Sequence, residues 1–546
     1  MVVGSGFGGA VTAYRLADAG YDVLVLERGR AYPPGSFART PSEASSAFWD
    51  PAEDLYGLFE LWSFDHLSAV CASGLGGGSL IYANVMLRKP EDTFVREDLA
   101  GGGRESWPIT AEELREHYDR VWEMQQPQRY PYDTTPKTRA VEAAARTIGL
   151  AAERPELAVL FAPAAGDDAV PGAPVPGDNL HHLPRTTCRL SGECNVGCNY
   201  GAKNTLDYTY LSAAQQKGAT IRTGCEVRTI EPIEGGKQGF DIGYRQHLLG
   251  PRRDGQDPSL LDPSEEPFRT VRSSVVVLGA GSIGSTRLLL ANRTALPGLS
   301  AALGTRVSAN GDAIAWVRDA DRSLQPSRGP VITTSIDVPE GRSPSGRGYH
   351  VQDAGAPAIG DWFWGATQLP TLPWRLRRTI VRLVRRALAR RPDTNLSAEV
   401  AALFGGSSDR VLPLLGLGRD VPDGRYVLDR DRLVLDWDAH ASEDHYRAVE
   451  ATFHDIAAAL GGKLSFAPTR RFNRTTTVHP LGGCPMADSA RHGVVDAHGC
   501  VFGFHNLYVA DGAAMPGPVG PNPSWTIAAF ADRVADGIID RNGGGG

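Results

Sequence analysis

The first 27 residues constrain this chain most. Met1-Val2-Val3 runs into Gly4-Ser5-Gly6-Phe7-Gly8-Gly9, a helical stretch follows, and YDVLVLE ends at Glu27. A strand, a glycine turn, a helix and a second strand closed by a carboxylate make a dinucleotide-binding βαβ unit. Gly4 permits the tight turn, Gly6 removes the Cβ that would hold the backbone away from a pyrophosphate, and Gly9 lets the helix lie close to the strand. The helix N-terminus offers unpaired N–H groups and the positive end of its dipole to the phosphates. Glu27 falls about 20 residues on, where a carboxylate accepts hydrogen bonds from the adenosine ribose. A glycine triplet alone is a weak signal; here strand, helix and acid occur in order.

At 546 residues the chain is long enough for a large core and two lobes. A net charge of −7, with both signs spread along the sequence, is not the balance of a nucleic-acid binder. No apolar run reaches the ~18 residues that a bilayer-spanning helix needs. Only three residues precede Gly4, fewer than the about five of an ordinary strand, so a natural start further upstream is expected. No export signal is visible, which favours a cytoplasmic location. Seven cysteines, odd in number and sparse, do not form a disulfide scaffold.

Glycine-rich turns recur along the chain. GLGGGS (74–79) leads into LIYANVM, and VRSSVVVLGAGSIGSTRLLL (271–290) reads as a buried strand, a glycine turn and a helix. WPITAEELREHYDRVWEMQ (107–125) reads as a helix with Thr110 as N-cap and Glu113 as its capping-box partner. DRLVLDWDAH reads as a strand and HYRAVEATFHDIAAALG as a helix. NLYVADGAAMPGPVGPNPSWTIAAFADRVADGIID reads as a strand, a turn and a long terminal helix. Segments 151–185, 250–268 and 319–348 read as loops.

GSGFGG (4–9), GLGGGSLIYANV (74–85), VVVLGAGSIGSTRLLL (275–290) and HPLGGCPM with NLYVADGAAMPGPVGPNPSWTIAA resemble the glucose–methanol–choline (GMC) oxidoreductase family of flavoenzymes. The likeness spans the whole chain in the family's order. His479 in THPLGGC-like context, its pairing with Asn522, and GCNYGAKNTLDYTYL (197–211) are most similar to the cholesterol oxidase branch. The resemblance implies an α/β fold: a Rossmann-like FAD-binding domain (1–300 and 471–546, with substrate-lobe insertions in 90–190) and a substrate-binding lobe with a mainly antiparallel sheet (301–470). Residues 541–546 are expected to be a disordered tail. It also implies FAD in the groove between the lobes. Gly4, Gly6, Gly9 and Glu27 would hold the ADP half. Gly77, Gly78 and Asn84 would line the flavin and pyrophosphate, Val227 would meet the adenine, and Asp511 and Gly512 would hold the ribityl-phosphate end.

Alcohol oxidation removes the hydroxyl proton as hydride leaves for the flavin N5, so a base must touch the substrate oxygen, and histidine suits this at neutral pH. His479 is that candidate, with Pro480 stiffening the turn and Gly482 and Gly483 expected to let the backbone lie close to the ring. Asn522, between two prolines, is the second polar group, a neutral donor to the developing oxyanion. The expected substrate is a secondary alcohol on a bulky hydrophobic, steroid-like or polyketide-like molecule. The competing reading is a lyase of the same fold, hydroxynitrile lyase-like, with FAD as a structural element. The branch also carries a glutamate that moves a ring proton in double-bond migration. The matching stretch here has Gln352, which cannot shuttle a proton, beside Asp353, which can if it points into the cavity.

Cys188, Cys194 and Cys198 invite an iron–sulfur reading, but Ser191 stands where some relatives have one more cysteine of a CxxCxxCxxxC run; no metal is expected. WRLRRTIVRLVRRALARR (374–391) is a basic amphipathic stretch, with Trp362, Phe363, Trp364 and Trp374 nearby. Packing on the substrate lobe is favoured; a peripheral contact with an anionic membrane surface is the alternative. The expected partner is a hydrophobic small molecule, with no nucleic acid, and the chain is expected to be a monomer.

Overall fold

The apolar runs Val2–Val3, Leu24–Leu26, Val276–Leu278 and Leu507–Val509 are almost wholly buried, as in parallel strands covered on both faces. A computed structural model, which describes residues 1–40, 43, 45–97, 103–164, 166–247, 267–357, 408–466 and 474–543, assembles them with Thr220–Arg222 into a five-stranded sheet. The order is 220–222, 24–26, 2–3, 276–278, 507–509, and every pair is parallel. The helix Phe7–Asp18 returns from the first strand so closely that a Cβ on Gly9 would sit 2.0 Å from the Gly4 carbonyl oxygen. Gly9 therefore has the packing role read from its spacing.

The helix Ala111–Gln125 starts with the expected capping box, Thr110 N–H donating to Glu113 Oε2 at 2.8 Å and Glu113 N–H to Thr110 Oγ1 at 3.3 Å. It and Phe7–Asp18 pack on the terminal helix Ser524–Gly543 through a buried charge cluster. Asp532, 1% exposed, accepts from His117 Nδ1 (2.7 Å), Arg120 Nε (2.8 Å) and Arg15. His117, Asp532 and Asp536 have metal-like spacing, but the two arginines already occupy the carboxylates. The terminal helix runs through Gly543, which corrects the tail expected from 541. Arg541 pairs with Asp496 at 2.8 Å and so anchors the last turn.

The second lobe is an antiparallel six-stranded sheet in the order Ala152–Glu153, Ser335–Val338, Tyr349–Asp353, Leu412–Gly418, Ala313–Arg318, Lys463–Phe466. The amphipathic helices Pro136–Thr147 and Glu443–Ala459 cover one face, the latter inserting Val449, Phe453 and Ile456. Segments 151–185 and 319–348, read as loops, therefore supply two strands of this sheet, Ala152–Glu153 and Ser335–Val338. Both are too short to rise above the surrounding prolines and glycines as a sequence pattern. The hairpin Arg425–Asp429/Arg432–Asp436 packs instead toward the first lobe, with Tyr426, Leu433 and Leu435 in a core shared with Ile283 and Leu67. Residues 358–407, including 374–391 and the nearby tryptophans, lie outside the described residues. Among the described residues, no helix is long and apolar enough to cross a membrane.

Burial works against the charge of Asp532, but the bonds from His117, Arg120 and Arg15 outweigh it and hold the carboxyl below its usual range. Its contribution to stability is therefore present above about pH 4 and fades as pH falls further. Asp532→Ala, which leaves the half-buried Arg15 and Arg120 with Asp536 as their remaining partner, is expected to cost about 1–3 kcal/mol in urea unfolding at neutral pH. The deficit relative to wild type should shrink below pH 4.

Candidate active site

The segments that follow four of the parallel strands face a cavity of about 560 Å³ between the lobes. Of the expected cofactor residues, Gly4, Gly6, Glu27, Gly77, Gly78, Asn84, Val227, Asp511 and Gly512 all line it, while Gly9 stands behind as a packing residue. Glu27 is buried and accepts from Ser5 N–H (3.0 Å), Ser5 Oγ (2.6 Å) and Gly29 N–H (2.8 Å). Burial raises its carboxyl, against those bonds and the charge of Arg28. Asp511 accepts from Gly281 N–H (2.8 Å) and Ser285 Oγ (2.5 Å), so it also fixes the start of the Gly281–Ala291 helix. Burial pushes its carboxyl up to about 6.

Two features of the cavity wall call for a bound group. Asn84 is fully buried in left-handed backbone (φ 69°), and its Oδ1 has no hydrogen-bond partner. A buried acceptor left unpaired is costly unless a ligand satisfies it. Gly78 meets nothing within 4 Å of where a Cβ would stand, so the backbone there is bare toward the cavity. Bare glycine backbone at two turns, a helix N-terminus and a carboxylate beyond them suit a dinucleotide.

His479 and Asn522 line the same cavity. The His479 ring is 15% exposed, and its Nδ1 lies 2.9 and 3.1 Å from the two oxygens of Asp312, which is fully buried. Asp312 Oδ2 also accepts from Thr477 Oγ1 (2.8 Å) and Val478 N–H (2.9 Å). A carboxylate at Nδ1 places the ring proton there and leaves Nε2 as the basic atom. Asn522 is buried and pairs reciprocally with Gln352: Gln352 Nε2 donates to Asn522 Oδ1 at 2.7 Å, and Asn522 Nδ2 donates to Gln352 Oε1 at 3.2 Å. The second N–H of Asn522 is thereby left for a ligand. Val331, Ile332, Ala354 and Leu415 supply an apolar wall from the second lobe.

Two expectations are corrected. Asp353 does not reach the cavity: its oxygens accept from Thr333 N–H (2.8 Å), Thr334 N–H (2.6 Å), both threonine hydroxyls and the buried Lys137 ammonium. Strand alternation turns it to the opposite face from Gln352. Gly482 and Gly483 do not line the cavity; a Cβ on them would meet the Arg306 carbonyl at 1.9 Å and Thr286 Oγ1 at 2.1 Å, so they serve protein packing. Asp312 was not singled out, because an acid in VSANGDAI carries no spacing signal toward His479.

Cys188 and Cys194 are buried and Cys198 half-buried, beside a separate cavity of about 20 Å³. Lys203 knits their loop to the site, donating to the carbonyls of Leu80 (3.0 Å), Tyr82 (2.9 Å) and Cys194 (3.0 Å), and burial pulls its ammonium down to about 8.

This is the site of a flavin-dependent oxidoreductase. The family models for the GMC oxidoreductase N- and C-terminal regions match residues 62–293 and 420–531, and an NAD(P)-binding Rossmann-like model matches residues 2–40. The chain belongs to the GMC oxidoreductase family, whose cofactor is FAD. It is 27% identical to a cholesterol oxidase of Acinetobacter baumannii, over 98% of this chain and 93% of that protein. It is 29% identical to a cholesterol oxidase of Mycobacterium tuberculosis (98% and 90%) and 28% identical to paromamine 6'-oxidase of Streptomyces fradiae (98% and 90%). Among solved structures it resembles pyridoxine 4-oxidase from Mesorbium loti, with a TM-score of 0.58 at 16% identity, covering 98% of each chain.

Gly78→Leu places an isobutyl group in the cavity without straining the turn. The variant is expected to fold with an unchanged far-UV spectrum and to retain little flavin absorbance after purification.

Proposed function

We propose that this FAD-dependent enzyme oxidises a secondary alcohol carried on a bulky hydrophobic molecule, steroid-like or polyketide-like, with His479 as base and Asn522 as hydrogen-bond donor. The observation that carries the reading is the pairing of His479 Nδ1 with buried Asp312, which directs Nε2 toward a cavity shared with Asn522. Bound FAD supplies the hydride acceptor. His479 Nε2 takes the hydroxyl proton, and the Asp312 carboxylate balances the imidazolium charge that results. Asn522 donates its free N–H to the same oxygen as negative charge builds on it. Its amide cannot rotate away, because Gln352 holds both of its polar atoms. The apolar wall of Val331, Ile332, Ala354 and Leu415 excludes water and accommodates a hydrocarbon skeleton. The names of the relatives, cholesterol oxidases among them, support the substrate class.

We further propose that oxidation proceeds without double-bond migration. Gln352 touches the site only through Asn522 and has no titratable proton, and Asp353 is held by Lys137 on the other face of the strand. A 3-hydroxy-5-ene sterol is therefore expected to leave as the unconjugated 3-ketone, as read by ultraviolet absorbance and mass spectrometry of the product. The wider test is anaerobic flavin bleaching with a panel of sterols and other hydrophobic alcohols. A flavin that stays oxidised while product forms would replace this reading with a lyase. His479→Ala is expected to keep its flavin and to slow bleaching by roughly 10²–10⁴-fold.

A further inference from the structure

His479 and Asn522 lie on segments far apart in sequence, yet both segments are fastened to one turn, Asn310-Gly311-Asp312. Asp312 holds the His479 ring and the Val478 N–H, as described above. Two residues earlier, the fully buried Asn310 spends its whole amide on the loop that leads into Asn522. Its Oδ1 accepts from Val519 N–H (2.9 Å) and Gly520 N–H (3.0 Å), and its Nδ2 donates to the Pro521 (3.1 Å) and Gly520 (3.4 Å) carbonyls. The turn also pairs by backbone with the segment after His479, where Ser308 and Leu481 exchange N–H···O bonds of 3.0 Å in both directions.

The turn itself is rigidly built. Asn310 and Gly311 are both left-handed (φ 54° and 62°), a conformation that asparagine and glycine accept with least strain. His445 Nε2 lies 3.1 Å from the Gly311 carbonyl, and Gly418 N–H donates to the Asn310 carbonyl at 3.1 Å. Asp420 accepts from Ser308 Oγ at 2.5 Å and from Ala309 N–H at 2.7 Å. The titratable groups around it are Asp420, whose carboxyl burial pushes up to about 7, and His445, whose imidazole burial pulls down to about 4, with the charged Arg347 and Arg419 beyond.

We infer that this turn is the common mount of the active site: Asp312 sets the tautomer and plane of His479, and Asn310 sets the position of Asn522. Both are positioning residues, and their roles rest on the reading of His479 as base and Asn522 as donor. Registering two groups from one rigid turn fixes their mutual distance, which is what joint action on a single substrate oxygen requires.

The test is a pair of double-mutant cycles on the flavin-loaded enzyme: Asp312→Asn with His479→Ala, and Asn310→Ala with Asn522→Ala. The rate read is anaerobic flavin bleaching with the fastest alcohol of the panel, cholesterol being tried first. Asp312→Asn is expected to lose roughly 10²–10⁴-fold in rate, because the imidazolium that forms during the reaction has lost its carboxylate. In one-dimensional proton NMR, a downfield imidazole N–H resonance absent from His479→Ala should move upfield in Asp312→Asn, whatever the substrate. Asn310→Ala should lose the same factor as Asn522→Ala, and each double variant should be no slower than its His479→Ala or Asn522→Ala parent. Should Asn310→Ala not fold, Asn310→Asp, which keeps the contacts to the 519 and 520 N–H groups and loses only the donor bonds, takes its place. Losses that multiply in the doubles, or a resonance unmoved in Asp312→Asn, overturn the inference alone. Single variants His479→Ala and Asn522→Ala that turn over at the wild-type rate overturn the underlying reading and this one with it.

Discussion

Backbone meeting backbone without intervening side chains is the constraint on which the rest of this molecule depends. The first turn, the start of the first helix and the turn after Val276–Leu278 interlock: a Cβ on Gly4 would stand 2.6 Å from the Gly279 carbonyl oxygen, and one on Gly279 would stand 2.4 Å from Gly9 N. Contacts this short are open only to glycine. They bring the ends of neighbouring parallel strands to one line, and the cavity is the space left along that line. The acid, the second glycine turn and the histidine segment take their places relative to it.

This explains which parts of the site were legible in the sequence. Close approach and phosphate binding demand glycine at fixed offsets, so Gly4, Gly6, Gly9, Gly77 and Gly78 announce themselves, and Glu27 and His479 are read from the motifs they close. Asp312 and Asn310 carry no such mark, and Gln352, singled out only at the place of a proton-moving residue, carries no sign of its pairing with Asn522. Their contacts cross 167, 210 and 170 residues respectively, and any buried polar residue on a strand or turn looks the same in one sequence. Four of the five parallel strands were legible because both faces are apolar; the fifth, Thr220–Arg222, is a largely exposed edge strand and was not. Ala152–Glu153 and Ser335–Val338 were not, since a short strand of mixed polarity is defined by its neighbours. Asp353 shows the same limit in reverse: a carboxylate one residue from the right position is turned by strand alternation to the wrong face.

The two lobes divide the work along chemical lines. The first provides backbone donors, a helix N-terminus and buried carboxylates, all suited to a charged dinucleotide. The second contributes an apolar wall and one amide, Gln352, whose partner Asn522 belongs to the C-terminal segment. The proposed base is likewise shared, with His479 on the segment after the second lobe and its carboxylate on the turn that leads into the Ala313–Arg318 strand. On the proposed mechanism, chemistry occurs where neither lobe is complete alone, and relative lobe position becomes a determinant of proton transfer.

The strand order of the parallel sheet has a consequence for biosynthesis. Val2–Val3 is synthesised well before Val276–Leu278, one of its two partners, and that strand in turn pairs with Leu507–Val509. The parallel sheet thus cannot close until Leu507–Val509 has been made. An exposed sheet edge must wait while the second lobe is made, and flavin insertion and final closure become late, coupled events in the maturation of the chain.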